Sequence, residues 1–405
     1  MRFSSLTAAG ISILILTLLA PTAAQAWGPL GHRMIAENAA LLIEKAEREH
    51  QKSPLKSPPE WGGWGAFLAR HRFELGYYSI IPDSHYRAND GKGGKTEAPC
   101  HFFDIDLVLK GPYNRARSVV LQKEIDQFPA DFTPAQARLK EILPAQTDPL
   151  TLGTAPWRTE QMMNRVWNEL NSVKSATGTY QSGKTSTGDA RKIYDALTDL
   201  GVMSHYTGDA AMPHHATHDW NGYDVGHGGI HFYFENDCVN VNEPGVSEEV
   251  LKLAWKNREK WLKEWKVAER RPSQVLLAMF LDSAEALTSV IDIDTKHAVI
   301  TPGPVPSGVA PTTATPAIAT DPVVPKKKID AIRKDAHLGC QKFRPLVIER
   351  LAKAVVLTAA MWERVLPKGV NFDGPTPLKF SDFEFYTGYI QPDYSATEFV
   401  KATKP

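Results

Sequence analysis

Apolar positions recur along this chain with the period of an α-helix. Between about residues 30 and 48, Ile35, Ala39 and Leu42 fall on one face, as in an amphipathic helix. Similar periodicity predicts further helices at residues 159–174, 188–208, 247–268, 273–292 and 343–366. Strand patterns are few and short. The chain is therefore predicted to be all-α and to fold as a multi-helix bundle.

Residues 1–26 have the pattern of a secretory signal peptide. Arg2 supplies the positive charge, an apolar run follows, and Ala24-Gln25-Ala26 has the small-x-small form of a cleavage site. The apolar run is too short for a membrane-spanning helix, and no transmembrane segment is predicted elsewhere. We therefore expect a secreted or periplasmic protein whose mature chain begins at Trp27.

Composition divides the remaining chain into four parts. Residues 27–298 contain most predicted helices and all candidate catalytic residues, and are interpreted as the main helical domain. Residues 299–326 are rich in Pro, Thr and Ala, lack periodicity and are predicted to be a disordered insertion. Residues 327–367 return to the domain as its C-terminal helix. Residues 368–405 form an aromatic-rich tail.

The overall composition is that of a globular protein, with 42% hydrophobic and 23% charged residues. Basic and acidic residues number 46 each, so the formal net charge is zero. No global basic field is available to attract nucleic acid or an anionic membrane. This argues against nucleic-acid binding through protein charge alone, although bound metal ions could supply positive charge locally.

Three cysteines occur in the chain, namely Cys100, Cys238 and Cys340. An odd number in an oxidising compartment allows at most one disulfide, and the sequence leaves its pairing open. None of the three has the C-x-x-C spacing of a zinc finger or a redox motif.

The densest candidate chemistry lies between His205 and Glu235, a stretch that contains six of the thirteen histidines. His205 and Asp209 stand four residues apart, so a helix would present both on one face, and His215 follows in the same stretch. His231 and Glu235 repeat the four-residue spacing on what we interpret as a second helix. Imidazole and carboxylate groups together favour zinc.

A structural role for these histidines is the alternative to metal binding. A lone histidine in an apolar segment is more often a satisfied core residue than a ligand, so H-x3-D-x5-H alone is weak. The H-x3-E motif that follows makes a metal site the better interpretation. The remaining residues of the stretch are interpreted as supporting, surface or loop residues: His214, His218, His227, Asp219 and Asp224.

Four further candidates lie outside this stretch. After signal cleavage, the α-amino and carbonyl groups of Trp27 could chelate a metal, with His32 on the next helical turn close enough to join them. IPDSHYR offers Asp83, and APCHFFDID offers His101. Taken alone, such an aspartate is usually a cap or turn residue, and such a histidine a core or surface residue.

The ordered set W-x4-H, a lone Asp, H-F, H-x3-D-x5-H and H-x3-E resembles the superfamily of bacterial zinc-dependent phospholipases C and single-strand-specific zinc nucleases. The resemblance covers most of the chain after Trp27. It implies three zinc ions at the bottom of a cleft in a helical bundle. One would be held by Asp83, His101, His205 and Asp209, a second by Trp27, His32 and Asp209, and the third by His215, His231 and Glu235. Asp83 is, by analogy, also the candidate general base.

The resemblance implies hydrolysis of phosphoesters by metal-activated water. Glu235 as last ligand and the short gap from His215 to His231 resemble the phospholipases, so phospholipid headgroups are the first predicted substrate, with transient contact to a membrane surface. The Trp27-x4-His32 spacing resembles the nucleases, so single-stranded nucleic acid is the alternative. A third hypothesis is a secreted zinc-binding protein without turnover. No protein partner is predicted.

Overall fold

The computed structural model describes residues 27–51, 62–109, 124–143, 147–243, 245–297, 330–373, 378–381, 383–384 and 388–395. The predicted signal peptide at residues 1–26 and the predicted insertion at residues 299–326 lie outside these ranges. Among the helices within them, none is both long enough and apolar enough to cross a lipid bilayer.

Helices dominate the described residues, so the predicted all-α class is confirmed. The α-helices are α1 Gly28–Gln51, α2 Trp64–Arg70, α3 Arg72–Tyr78, α4 Arg87–Asn89, α5 Ile105–Leu109, α6 Phe132–Ile142, α7 Ala155–Leu170, α8 Ala190–Ala210, α9 Ile230–Phe232, α10 Cys238–Asn242, α11 Val246–Glu264, α12 Pro272–His297 and α13 Ala336–Val365. The 3₁₀ turns are Ala98–His101, Pro149–Leu152 and Pro213–Ala216, and the π-turns are Pro82–Tyr86 and Tyr233–Asp237. Two short strands, β1 Thr179–Tyr180 and β2 Lys379–Phe380, pair in parallel.

Proline positions explain several helix boundaries. Pro156 occupies the first turn of α7 and Pro272 begins α12, where a missing N–H costs no intrahelical hydrogen bond. Pro367 follows the extended residue Leu366, so α13 ends just before it. Pro345, in contrast, lies inside α13, which begins at Ala336 and therefore earlier than the predicted start at residue 343.

Helices α8 and α13 form the centre of the bundle. Every residue of α8 from Ala196 to Ala210 is buried, and so is every residue of α13 from Arg350 to Trp362. Helix α7 packs against α8, while α1, α11 and α12 pack against α13. The Trp362 indole donates a hydrogen bond to the Leu200 carbonyl at 3.1 Å and joins the two central helices. The polar end of α8 therefore lies inside the protein.

Two arginines of the described bundle are completely buried, with hydrogen-bond acceptors around both guanidinium groups. Arg350 of α13 donates to the carbonyl oxygen of Ala211 at 2.8 Å, which supplies a donor to the C-terminal end of α8. Arg158 of α7 donates to Glu97 at 3.2 Å and to the Ile390 carbonyl at 2.7 Å. Because a buried cation is stable only with such partners, these contacts fix the end of α8 and part of the C-terminal tail.

The described part of the aromatic tail packs against the helical core. Its contributing aromatic residues include Phe372, Phe380, Phe383, Tyr389 and Tyr394. The Phe372 ring lies 5.0 Å from the Trp64 ring, centroid to centroid. The hydroxyl groups of Tyr394 and Thr154 are hydrogen-bonded at 2.7 Å. The tail therefore covers the α2 and α7 sides of the bundle.

The structure resolves the cysteine pairing that the sequence left open. Cys238 and Cys340 form a disulfide that connects α10 to the first turns of α13 across a sequence separation of 102 residues. Cys100 is a buried free cysteine.

Replacing both Cys238 and Cys340 by alanine should lower the free energy of unfolding by about 2–5 kcal/mol, because the bond closes a long loop of the unfolded chain. Urea denaturation in the presence of a metal chelator measures this change. Cys100→Ala is the control, since it removes a buried thiol without opening a loop. Equal unfolding midpoints for the double variant and the wild-type protein would contradict the prediction.

Candidate metal centre

The last two turns of α8 present the first pair of candidate ligands. His205 and Asp209 lie one helical turn apart and both are completely buried, with 3.3 Å between His205 Nε2 and Asp209 Oδ2. The other ring nitrogen of His205, Nδ1, donates to the Ser79 carbonyl at 2.8 Å. This hydrogen bond fixes the imidazole tautomer and leaves Nε2 with a lone pair that points at the carboxylate.

Asp83 and His101 complete the first group. Asp83 lies in the π-turn Pro82–Tyr86, and His101 ends the 3₁₀ turn Ala98–His101. His101 Nδ1 lies 3.0 Å from Asp209 Oδ2, 2.9 Å from His205 Nε2 and 3.6 Å from Asp83 Oδ1. Four polar side chains from three elements therefore meet around one point.

The second group is built on the other oxygen of Asp209. His32, on α1, has its Nε2 atom 3.4 Å from Asp209 Oδ1, and its ring stacks on that of His205 with 3.9 Å between centroids. Asp209 thus faces His32 with one oxygen, and His101 and His205 with the other. A carboxylate in this position can bridge two cations.

Trp27 lies beside this group, although its backbone nitrogen faces another carboxylate. The Trp27 N–H donates to Glu235 Oε2 at 3.1 Å, and the indole donates to the Gly208 carbonyl at 2.8 Å. Trp27 is completely buried. Its nitrogen therefore lies at the boundary between the group on Asp209 and the group that contains Glu235.

His215, His231 and Glu235 form the third group. His231 Nε2 lies 3.1 Å from His215 Nε2 and 2.8 Å from Glu235 Oε2. His215 Nδ1 donates to the His101 carbonyl at 2.5 Å, which links this group to the first. The predicted second helix is shorter than expected, because the three-residue α9 is followed by the π-turn Tyr233–Asp237 that contains Glu235. Such π-turns insert an extra residue and are frequent at functional sites.

All nine predicted ligand residues thus lie in or beside one buried cluster. Within each of three subsets the potential ligand atoms lie within 4.8 Å of one another: His32, His205 and Asp209; Asp83, His101 and His205; His215, His231 and Glu235. These subsets could hold metal ions, and their imidazole and carboxylate groups fit zinc.

Hydrogen bonding supports this assignment of the cluster. Among the described residues, neither Asp209 Oδ1 nor Glu235 Oε1 has a hydrogen-bond donor, although both atoms are buried. An unsatisfied buried carboxylate oxygen is costly. A cation at these positions would remove that cost.

Burial shifts the pKa values of the acidic and basic side chains of the cluster in opposite directions. Burial raises the pKa of Asp209 well above its ordinary value, and Asp83 adds to the rise. Burial also raises the pKa of Glu235. Burial lowers the pKa values of His101, His205 and His215, and lowers that of His231 to about 3. Burial therefore favours neutral imidazoles, which can coordinate a metal, and opposes charge on the carboxyl groups unless a cation is bound to them.

Arg87 and Glu97 were not identified from the sequence. Arg87 Nε lies 3.0 Å from Asp83 Oδ1 and 3.4 Å from His101 Nε2. Glu97 Oε1 lies 3.7 Å from the same His101 atom. The sequence patterns that could have identified them are the four-residue spacings from Asp83 to Arg87 and from Glu97 to His101.

The other histidines of the central stretch lie around the cluster. His214 is buried, and its ring stacks 6.0 Å from that of His231. His218 is partly exposed, and its hydrogen bond with Asp106 raises the pKa of His218 to about 9. His227 is buried and paired with Asp294 at 2.7 Å. The loop residue Asp219 accepts a backbone hydrogen bond from Asp224, which is exposed.

Neither a family profile, nor a curated protein, nor a solved structure matches this chain. The chemical assignment of the cluster therefore depends on its own geometry and donor set.

Asp209→Asn should weaken zinc binding more than Asp83→Asn, because Asp209 faces two groups and Asp83 only one. We expect a loss of affinity of at least about 10-fold at both groups for Asp209→Asn. Zinc content measured by mass spectrometry after dialysis tests this. Asp199→Asn is the matched control, since Asp199 is a buried carboxylate on α8 that pairs with Arg165 instead. Equal zinc content in the Asp209 and Asp83 variants would contradict the prediction.

Proposed function

We propose that this protein is a zinc-dependent phosphodiesterase of the phospholipase C type. The observation that carries the proposal is the convergence of three ligand groups on one buried cluster, with Asp209 shared between two of them. This arrangement agrees with the ordered motifs by which the sequence resembles the zinc-dependent phospholipases C and nucleases. The proposal includes export of the protein, since residues 1–26 have the pattern of a signal peptide.

The residues that would hold zinc are the nine predicted ones. They are Trp27, His32, Asp83, His101, His205, Asp209, His215, His231 and Glu235. Bound zinc supplies Lewis acidity, which acidifies water and neutralises the negative charge of a phosphoryl group.

Asp83 is the candidate general base. Its side chain is 7% exposed, whereas those of Asp209 and Glu235 are completely buried, so Asp83 is the carboxylate of the cluster most accessible to water. Arg87 holds one Asp83 oxygen at 3.0 Å and orients the carboxylate. The same oxygen lies 3.6 Å from His101 Nδ1 and 3.8 Å from His205 Nε2, so the oriented carboxylate could accept a proton from water at the cluster.

The surface beside the third group favours a phospholipid over a nucleic acid. Trp220 is 41% exposed, and its ring lies 5.6 Å from that of His231. No Lys or Arg occurs from residue 193 to residue 251, the stretch that carries five of the ligands and this tryptophan. Binding to a polyanion depends on such cations, whereas an exposed tryptophan suits the interface of a zwitterionic lipid.

A single-stranded nucleic acid is the second candidate substrate, and the same tryptophan is the observation that favours it. An exposed indole can stack on a nucleobase, which contributes about 1–3 kcal/mol per base. Stacking of this kind needs no particular base sequence. The absence of Lys and Arg from residues 193–251 makes this the weaker alternative.

Purified protein loaded with zinc should release the phosphorylated headgroup from phosphatidylcholine vesicles, and a chelator should abolish the release. Asp209→Asn should lower the rate by at least about 100-fold because it weakens two cation sites, while the control Asp199→Asn should leave the rate within a few-fold of wild type. Single-stranded DNA is offered in a parallel assay. Cleavage of DNA alone would favour the nuclease, and bound zinc without hydrolysis of either substrate would favour a zinc-binding protein without turnover.

A further inference from the structure

The third ligand group lies on a segment with little regular structure of its own. His231 belongs to the three-residue helix α9, and Glu235 to the π-turn that follows. Gly229 precedes α9 with a φ of 81°, a conformation that favours glycine. Such a short helical piece cannot be stable alone, since an isolated helical turn is costly to nucleate. Its position must be fixed by contacts from other parts of the chain.

Arg333 supplies several of these contacts. Its guanidinium donates to the Gly228 carbonyl at 3.2 Å and to the His227 carbonyl at 3.1 Å. It also lies over the Tyr233 ring, 4.7 Å from the centroid. His227 and Gly228 precede His231 in the chain, and Tyr233 follows it. The side chain of Arg333 is only 9% exposed, so the contacts are shielded from water.

Asp294 of α12 fixes the guanidinium in place. It accepts two hydrogen bonds from Arg333, both at 2.9 Å, and a third from His227 Nδ1 at 2.7 Å. Burial alone would raise the pKa of Asp294, but the hydrogen bonds from His227 and Arg333 lower it below its ordinary value. Asp294 is therefore charged, and its bidentate pair with Arg333 has the geometry that only a guanidinium provides.

Further contacts join the segment around His231 to the residues next to Arg333. The Ala331 N–H donates to the Gly228 carbonyl at 2.8 Å, and the Tyr223 hydroxyl donates to Asp330 at 3.2 Å. Beyond Glu235, the disulfide between Cys238 and Cys340 provides a covalent link to α13. Residues 227–238 are thus held at both ends by residues 330–340.

We propose that Arg333 is a positioning residue for the metal group of His215, His231 and Glu235. It acts through the backbone before α9 and touches none of the three ligands. The other two groups lie on α1, α8, the π-turn Pro82–Tyr86 and the 3₁₀ turn Ala98–His101, with which Arg333 has no described contact. The inference rests on the proposed zinc centre, and it predicts that loss of Arg333 affects one cation site selectively.

Arg333→Ala should bind the third zinc ion about 10–100-fold more weakly and retain the other two, as is typical when a residue that orients ligands is lost. Zinc titration counts the sites, and the absorption spectrum of the cobalt-substituted protein reports which coordination sphere has changed. Arg333→Lys should restore the site only in part, because lysine keeps the charge without the planar fork. Hydrogen exchange of the zinc-free protein should become faster at residues 228–236 and stay unchanged at residues 200–209.

Arg258→Ala is the matched control. Arg258 Nη2 donates to both carboxylate oxygens of Glu363, at 2.8 and 3.0 Å, and no described hydrogen bond joins Arg258 to residues 227–238, so its loss should leave zinc content and exchange at residues 228–236 unchanged. The proposal is overturned if Arg333→Ala binds zinc with wild-type affinity, or if Arg258→Ala loses the same site. If the wild-type protein binds no zinc, the proposed function fails as well. If it binds three ions and Arg333→Ala does too, only the role of Arg333 is refuted.

Discussion

Asp209 and Glu235 are carboxylates without solvent exposure, and each has an oxygen atom that receives no hydrogen bond from the described residues. A protein interior tolerates such a group only if it is protonated, paired or bound to a cation. Their neighbours are neutral histidines, since burial holds the pKa values of His205 and His215 low. Arg87 contributes positive charge to the cluster beside Asp83, and bound divalent cations are the natural complement of the unsatisfied oxygens of Asp209 and Glu235.

Burying these polar groups costs free energy, and contacts from the rest of the fold keep them in place. Helix α8 is buried along its last four turns and ends in the cluster, where Arg350 donates to the carbonyl of Ala211. The first group is oriented by backbone carbonyls, such as that of Ser79 on His205. The third group is held by the His101 carbonyl on His215 and by the long-range contacts of Arg333 and the disulfide. The centre thus has one part built on rigid helices and one part attached through tertiary contacts.

The sequence predicted the all-α class, the long helices and the pairs His205/Asp209 and His231/Glu235, because apolar periodicity and i,i+4 spacing are local signals. The complete set of nine candidate ligands was implied only by the resemblance of the ordered motifs to the zinc phospholipases and nucleases. The sequence did not predict the π-turns that carry Asp83 and Glu235, because a single π-turn is too short to have an apolar period of its own. The pairing of Cys238 with Cys340, and the contact of Arg333 with Asp294, join residues far apart in the chain. Such contacts depend on tertiary packing, for which a single sequence gives no periodic signal.

We infer that the buried cluster is a zinc centre with three cation sites. Crystals of the zinc-loaded protein, measured on both sides of the zinc absorption edge, test it most directly. The account predicts three anomalous peaks, each within about 2.0–2.2 Å of its histidine and carboxylate ligands, with Asp209 shared by two of them. Anomalous density elsewhere, or a cluster whose carboxylates are occupied only by protons and water in excess zinc, would contradict it.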